Sequence, residues 1–172
     1  MKQLAYQGRS IAVWREEVTL PNGRETVLDV VRHPGASAVV PFESERDVLL
    51  IRQYRHAAGG TIWEVPAGKL DAGEAPAACA ARELEEEAGR RAGRVEHLAT
   101  IWTTPGFTDE RIHLFAAFDL EPVEQRHEHD EVIELVRMPL ADALALVFRG
   151  ELADAKSALA LVHAAHRVGM LR

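Results

Sequence analysis

Residues 67–89 read AGKLDAGEAPAACAARELEEEAG, and this stretch decides the fold that the sequence predicts. The chain first passes through a loop that contains Gly73. Pro76 suits the first turn of a helix, because proline lacks a backbone N–H and its fixed φ is already helical. Gly89 is a candidate C-terminal cap, since glycine readily adopts the left-handed conformation that ends many helices. The pattern therefore predicts a loop followed by a helix that ends at about Ala88.

The predicted helix has two different faces. Glu83, Glu86 and Glu87 are spaced i, i+3 and i+4, so their carboxylates share one flank. Like charges at this spacing repel by about 0.2–0.5 kcal/mol per pair, and the helix dipole disfavours each anion near the C-terminus by about 0.3–1 kcal/mol. A bound divalent cation reverses both penalties, whereas a merely solvated acidic face is balanced by the neighbouring arginines; the helix alone leaves both interpretations open. The apolar stripe predicted to pack on the core consists of Ala77, Ala80, Ala81, Leu84 and Ala88.

The segments on either side of this helix predict mainly β-structure. Near the N-terminus, short strands at 11–14 and 17–20 precede an Asn22-Gly23 turn, and a strand at 26–31 returns. Further strands are predicted at 36–42, 47–54, 61–65, 95–102, 111–119 and 132–138, with terminal helices near 140–148 and 153–166. This order is not the regular alternation of a doubly wound sheet. It predicts an α+β fold.

Composition limits the classes of function. The 172 residues predict one ordinary globular domain, and the formal charge of −7 argues against a protein that mainly grips nucleic acid phosphates. An acidic protein with an anionic substrate must gather positive charge locally, from a few arginines or from metal ions. The sequence has a single cysteine, Cys79, and shows no signal-peptide pattern and no apolar run of about eighteen residues. These features predict a cytoplasmic protein without a membrane span.

The whole stretch is similar to the Nudix box, G-x5-E-x7-R-E-U-x-E-E-x-G-U, in which U is a bulky apolar residue. One position departs from it, because Arg90 stands where the motif ends on an apolar residue, and this affects packing rather than a carboxylate. The chain is identified by this motif as a member of the Nudix superfamily. The matching positions are Gly68, Glu74, Arg82, Glu83, Leu84, Glu86, Glu87 and Gly89.

Within that superfamily the chain resembles the ADP-ribose pyrophosphatase branch over nearly its whole length. The segments that carry the resemblance are IRQYR at 51–55, WEVPAG at 63–68 and PGFTDE at 105–110. The resemblance implies a Nudix fold, an α/β/α sandwich with a mixed β-sheet, plus N-terminal antiparallel strands. It also implies a hydrolase domain at 35–172 and a homodimer formed through the N-terminal β-hairpin region at 1–34.

The resemblance assigns the metal site to the helix. Glu83 and Glu87 are the implied principal ligands, joined by the backbone carbonyl of Ala67, and Glu86 is a ligand to a second ion. The expected cofactor is Mg²⁺, with Mn²⁺ as a possible substitute. Glu86 and Glu87 are therefore also catalytic candidates. Structural support is expected from the remaining motif residues Gly68, Glu74 and Arg82, of which Arg82 orients the glutamates by ion pairing.

A general base is expected on a late loop, residues 127–131. In related enzymes a glutamate of such a loop serves as base or completes the metal site. Aligning residues 132–134 with the strand that follows makes Glu131 a candidate. The position two earlier is His129 here, so Glu128 and that imidazole are the alternatives.

Candidate substrate contacts lie in three segments. Arg55 is the first candidate for the adenosine or diphosphate portion and Arg52 the second. Glu64 is expected to accept hydrogen bonds from adenine, and Glu110 to contact the terminal ribose. Trp63 is a candidate for stacking on a base, with a core position as the alternative. The tryptophans assigned to the core outright are Trp14 and Trp102.

The implied reaction is hydrolysis of ADP-ribose to AMP and ribose 5-phosphate. Two alternatives stay open: hydrolysis of another nucleoside diphosphate sugar such as GDP-mannose, and a non-catalytic domain that binds ADP-ribose without cleaving it. The expected partners are a small nucleotide sugar and a second copy of the chain, with neither nucleic acid nor a membrane.

Overall fold

The computed structural model describes residues 1–8, 11–126 and 132–171. Its first part is a three-stranded antiparallel sheet of β1 (Lys2–Gln7), β2 (Ala12–Thr19) and β3 (Glu25–Arg32), in the order β1-β2-β3. Gly23, at φ +82°, makes the tight turn between β2 and β3, as the sequence predicted. Two predictions were wrong here. The segments 11–14 and 17–20 belong to one strand, and β1 was missed because all its residues are exposed and give no core-facing pattern.

Two further sheets form the body of the molecule. Their strands are β4 (Ala36–Pro41), β5 (Asp47–Arg55), β6 (Gly60–Glu64), β7 (Ala67–Lys69), β8 (Arg90–Trp102), β9 (Arg111–Pro122) and β10 (Ile133–Pro139). One sheet has the order β7-β4-β9-β8 and the other β10-β5-β6. Because β4 and β9 run parallel while their other neighbours are antiparallel, the larger sheet is mixed.

Three helices cover this body: α1 (Pro76–Ala88), α2 (Leu140–Phe148) and α3 (Ala155–Arg167). Helix α1 packs on β4, β7 and β8, and α3 packs on β4, β8 and β9. Neighbouring residues of β4 point to opposite faces, so Val39 joins a core with Leu84 of α1, while Val40 joins a second core with Leu161 of α3. The α+β prediction, with helices on both faces of a mixed sheet, is confirmed.

The boundary of α1 shows how the motif is built into the fold. Gly89 adopts φ +59° and caps the helix, and Pro76 occupies its first turn, as predicted. Ala80, Leu84 and Ala88 are buried as expected, but Ala77 is exposed. At the departure from the motif, the Arg90 guanidinium makes two bonds of 3.0 and 3.1 Å to the Glu43 carboxylate. An ion pair therefore replaces apolar packing there, and β8 begins at Arg90, earlier than predicted.

Of the helices in the described part of the chain, none combines the length and the hydropathy that crossing a bilayer requires.

Candidate active site

A cleft of about 830 Å³ opens beside the acidic flank of α1. Its walls come from the end of β5, from β7, from α1, from the segment after β8 and from the start of α3. This volume lies in the range of about 300–1,000 Å³ that small-molecule sites commonly have. The helix that the motif predicted therefore borders a concavity large enough for a small-molecule ligand.

Three carboxylates of α1 line the cleft, namely those of Glu83, Glu86 and Glu87. Glu83 and Glu87 are buried, at 7% and 1% exposure, which is unusual for ionisable side chains and needs compensating contacts. The backbone N–H of Ala67 donates to Glu87 Oε2 over 2.8 Å. Strand β7 is thereby held against the helix, and the Ala67 backbone stands beside the carboxylates.

Gly68 is required by a close approach. A Cβ atom at this position would lie 1.8 Å from Glu83 Oε1, well inside contact distance. The absence of a side chain thus creates the space in which the Glu83 carboxylate lies. This gives a structural reason for the glycine of the motif.

Arg82 is the centre of an ionic network on the same helix. Its guanidinium donates to Glu74 over 2.9 and 3.0 Å, to Glu83 over 2.6 Å and to Glu86 over 3.0 Å. The hydrogen bonds from Arg82 lower the pKa of Glu74 from 4.5 to about 2. Arg82 orients two carboxylates of the flank and Glu74 anchors Arg82, so both have the contacts expected of supporting residues.

The donor set fits a divalent cation in its chemistry. Carboxylate and carbonyl oxygens are the ligands that hard cations such as Mg²⁺ prefer, and these groups share one wall of the cleft. In this arrangement Arg82 contacts two of the carboxylates, and no three acidic, His or Cys side chains of residues 1–8, 11–126 and 132–171 converge on one point. The late-loop candidates Glu128 and Glu131 lie outside the described residues.

A second ionic group borders the same cleft. Arg55 donates twice to the Glu64 carboxylate, over 2.8 Å each, and Lys156 Nζ lies 2.9 Å from both Glu64 and Asp154. Burial opposes ionisation of Glu64, but the hydrogen bonds from Arg55 and the charge of Lys156 outweigh it, so its pKa is lowered. Arg55 and Lys156 line the cleft and bring positive charge to it.

The sequence is similar to known proteins along most of its length. Residues 31–160 match the family described as the NUDIX domain. The chain belongs to the Nudix family. It is 41% identical over 162 residues to an ADP-ribose pyrophosphatase of Bacillus subtilis, covering 93% of this chain and 88% of that protein. It is 35% identical over 153 residues to a GDP-mannose pyrophosphatase of Cronobacter sakazakii, covering 78% and 79%.

The fold of this chain is similar to that of a solved structure described as an ADP compounds hydrolase. It superposes with a TM-score of 0.86 at 23% identity and covers 99% of this chain and 92% of that one. At this identity the likeness concerns the fold. The chain is thus a Nudix hydrolase domain by sequence and by architecture.

Two sequence candidates of this Nudix chain stand apart from the cleft. Arg52 and Trp63 face each other across β5 and β6, with the guanidinium 5.3 Å from the ring centroid. Trp63 is partly buried against the core and borders a smaller concavity together with residues of α2. The structure does not bring these two residues to the carboxylates, and their substrate roles stay predictions.

The last residue of β8, Trp102, and the following segment, through Glu110, both border the cleft. The core assignment of Trp102 was wrong: the ring is 50% exposed, and the Arg111 guanidinium lies 4.4 Å from its centroid. Sequence alone gave no reason to separate it from core tryptophans. Glu110 accepts a hydrogen bond of 2.8 Å from the Thr103 hydroxyl, which fixes its carboxylate at the rim.

Sequence reasoning missed Lys156 and Asp154. Asp154 caps α3 by accepting from the Ser157 N–H over 3.0 Å. A helix N-cap followed by a lysine was the only local signal, and it did not reveal that Glu64, 92 residues earlier, lies against that lysine. Only the tertiary fold joins them.

Cys79 is not a nucleophile candidate. Its thiol is buried beneath β7, and burial raises its pKa to about 11. A thiol with such a pKa is protonated at neutral pH and therefore unreactive. The position of Cys79 is that of a packing residue.

Proposed function

We propose that this chain is a divalent-metal-dependent pyrophosphohydrolase that cleaves ADP-ribose to AMP and ribose 5-phosphate. The observation that carries the proposal is the shared cleft. Three carboxylates of α1, those of Glu83, Glu86 and Glu87, line the same cleft as Arg55 and Lys156. A diphosphate in this cleft would meet both a cation-binding surface and fixed positive charge.

The metal is assigned to residues of α1 and β7. Glu83, Glu87 and the carbonyl of Ala67 would hold Mg²⁺, with Glu86 at a second ion and Mn²⁺ as a substitute. A bound ion of this kind polarises phosphoryl oxygens and lowers the pKa of water. Glu128 and Glu131 are the proposed sources of a general base.

The protein's own side chains orient these groups. Arg82 aligns Glu83 and Glu86, and the Ala67 N–H fixes Glu87. Bound cations would neutralise the charge of the phosphates. Because the carboxylates that would hold these cations are already in place, they need not reorganise during the reaction.

The substrate is assigned to the ionic group around Arg55. Arg55 is 40% exposed while it holds Glu64, so it can contact a phosphate without losing that partner. Lys156 adds a second cation that the sequence did not predict. Glu110 is the proposed contact of the terminal ribose.

The chain is proposed to act as a homodimer through residues 1–34, next to a hydrolase domain at 35–172, in the cytoplasm. Residues directly opposite each other in a sheet project to one face. Leu4, Trp14 and Val30 are opposite one another across β1, β2 and β3, and Leu28 lies on the same face. The other face carries Arg15 and Asp29 beside Val13 and Val31. The face of Leu28, which also holds the ion cluster of Lys2, Glu16 and Arg32, is called the apolar face and is proposed to meet a partner.

A second candidate substrate is GDP-mannose. The similarity to a GDP-mannose pyrophosphatase favours it, because that protein shares most of the chain. A non-catalytic domain that only binds ADP-ribose is the third candidate. The complete set of carboxylates at the cleft argues against it.

The test is a substrate panel on the purified full chain. ADP-ribose and GDP-mannose are compared with Mg²⁺ present, and a coupled phosphatase releases phosphate from the products. We expect ADP-ribose to give the higher kcat/KM, with AMP as product and no turnover in the presence of a chelator. Preference for GDP-mannose would overturn the substrate, and ADP-ribose binding without turnover would overturn the enzyme.

The matched variants are Glu87→Gln and Glu85→Gln. Glu85 lies on the same helix but pairs with Arg91, away from the flank. Loss of a metal-binding carboxylate should lower kcat by at least about a hundredfold, whereas Glu85→Gln should leave it nearly unchanged.

A further inference from the structure

The segment from Thr103 to Glu110, which we call the rim loop, is fastened to β3 by main-chain bonds. The N–H of Val31 donates to Phe107 O over 2.8 Å, and the N–H of Asp109 donates to Val31 O over 3.2 Å. Val31 and Thr108 form an isolated parallel bridge. The N-terminal sheet and the cleft therefore share a junction just before Glu110.

A chain of ionic contacts runs through this junction. Arg32 Nη1 donates to Asp109 Oδ2 over 2.8 Å, and Nη2 of the same side chain contacts the Glu16 carboxylate. Glu16 is buried, at 6% exposure, and also lies 3.2 Å from Lys2 Nζ. Lys2 of β1 and Arg32 of β3 thus meet at the Glu16 carboxylate of β2, and Arg32 links this group to Asp109 of the rim loop.

The second oxygen of Asp109 fixes the backbone. Asp109 Oδ1 accepts from the N–H of His33 over 2.9 Å. Each carboxylate oxygen therefore has its own donor, one from a side chain and one from the main chain. This arrangement leaves Asp109 little freedom to rotate.

Glu110 is held on its other side as well. Thr103 closes the rim loop through two bonds to Glu110, from its hydroxyl to the carboxylate over 2.8 Å and from its N–H to the carbonyl over 3.4 Å. The Glu110 carboxylate also lies 3.4 Å from Nδ1 of His33, the residue whose backbone N–H donates to Asp109, so Asp109 acts on Glu110 through His33 and the rim-loop backbone.

We propose that Arg32 and Asp109 are positioning residues that set the Glu110 carboxylate for the sugar end of the substrate. This inference rests on the proposed function. An exposed ion pair alone would have little effect on stability. Here, however, the pair connects to a buried carboxylate and to two main-chain bonds, so its loss frees a loop that lines the cleft.

The test is a double-mutant cycle of Asp109→Ala and Glu110→Gln on the full chain, with ADP-ribose and Mg²⁺. Asp109→Ala should raise KM about tenfold and change kcat by less than about threefold, because binding is lost and not the reacting groups. The double variant should match Glu110→Gln, since both changes remove one interaction. Multiplying effects, or an unchanged KM in either single variant, would overturn the proposal.

The matched control is Asp29→Ala. Asp29 also lies on β3 and pairs with an arginine, Arg15, over 3.4 Å, but both side chains are more than half exposed. It touches no residue of the rim loop in the contacts described. Its KM should equal that of the unaltered protein, and an equal rise would mean that any loss of charge from the sheet has this effect.

Hydrogen–deuterium exchange separates this inference from the proposed function. Backbone amides of residues 107–110 should exchange faster in Asp109→Ala than in the unaltered protein or in Asp29→Ala. If the unaltered protein fails to cleave ADP-ribose, the proposed function is refuted. The exchange measurement still tests whether Asp109 holds the rim loop against β3, because it does not depend on activity. Unchanged exchange in Asp109→Ala would refute the junction even in an active enzyme.

Discussion

The Glu83 carboxylate occupies the space that a side chain at position 68 would need. Because an added Cβ would lie 1.8 Å from Glu83 Oε1, the motif glycine is explained by close approach and not by backbone conformation. The displaced atom is the end of a flexible side chain, so the carboxylate can move aside. Adding a side chain at position 68 should therefore disturb the metal site more than the stability of the fold.

Gly68→Ala should keep the fold and weaken the metal site. We expect an unchanged far-UV circular dichroism spectrum, a higher Mg²⁺ concentration for half-maximal activity and a lower kcat. Gly60→Ala is the control, since a Cβ at Gly60 meets no atom within 4 Å. An activity and a Mg²⁺ requirement that both stay normal in Gly68→Ala would contradict this account of the glycine.

Glu74 should make stability depend on pH. Hydrogen bonds from Arg82 lower its folded-state pKa from 4.5 to about 2, so the ionised carboxylate stabilises the folded chain above pH 4.5. The contribution disappears as pH falls from 4.5 through about 2. Urea unfolding of the unaltered protein and of Glu74→Gln should differ by a constant amount above this window and converge within it. A difference that grows on acidification would show the opposite sign.

At the level of elements, helix α1 lacks a side-chain cap at its N-terminus. Ala75 occupies the N-cap position with extended dihedral angles, φ −73° and ψ 139°, but provides no side-chain bond to the first turn. Serine, threonine, asparagine and aspartate are preferred there because a side-chain oxygen can accept from an N–H of the first turn. The helix that carries the carboxylates can therefore be stabilised without touching the cleft.

Ala75→Ser should stabilise the protein by about 1 kcal/mol, which corresponds to a rise in Tm of about 2–4 °C for a chain of this size. Activity should not change. Ala77→Ser, also exposed but inside the first turn, should lower Tm slightly because serine has the weaker helix propensity. A lower Tm in Ala75→Ser would show that the N-cap is already satisfied.

The elements also show what sequence could predict. Helix α1 and its carboxylates were predictable, because Pro76, Gly89 and the glutamate spacing are local signals. Strand β1 was not, since an exposed strand has no buried face to give it a period. The contact between Lys156 and Glu64 joins residues far apart in the chain, and the exposure of Trp102 depends on the shape of the cleft, so neither leaves a local pattern.

At the scale of the whole molecule, the distribution of charge and the N-terminal sheet bear on how the protein binds its substrate and a second copy of itself. The chain carries a formal charge of −7, yet its cleft collects Arg55, Arg126 and Lys156. Local cations of this kind allow an acidic protein to hold a diphosphate. The apolar face of the N-terminal sheet, in turn, predicts a second copy of the chain.

Leu28→Asp should convert a dimer to a monomer. Leu28 is 43% exposed on the apolar face, so a charge there would be buried on association at a high cost. Val27→Asp is the control, because Val27 is 53% exposed and points to the opposite face. Light scattering should give twice 19.0 kDa for the unaltered chain and for Val27→Asp, but 19.0 kDa for Leu28→Asp. A monomeric unaltered chain would contradict the dimer.

The most direct test of the carboxylate flank is a Mn²⁺ titration followed by electron paramagnetic resonance, in which free Mn²⁺ gives the signal. The unaltered protein and Glu85→Gln should deplete free Mn²⁺ equally, and Glu87→Gln should bind at least about tenfold more weakly. Equal depletion by all three proteins, or none by the unaltered protein, would contradict the assignment of the metal to this flank.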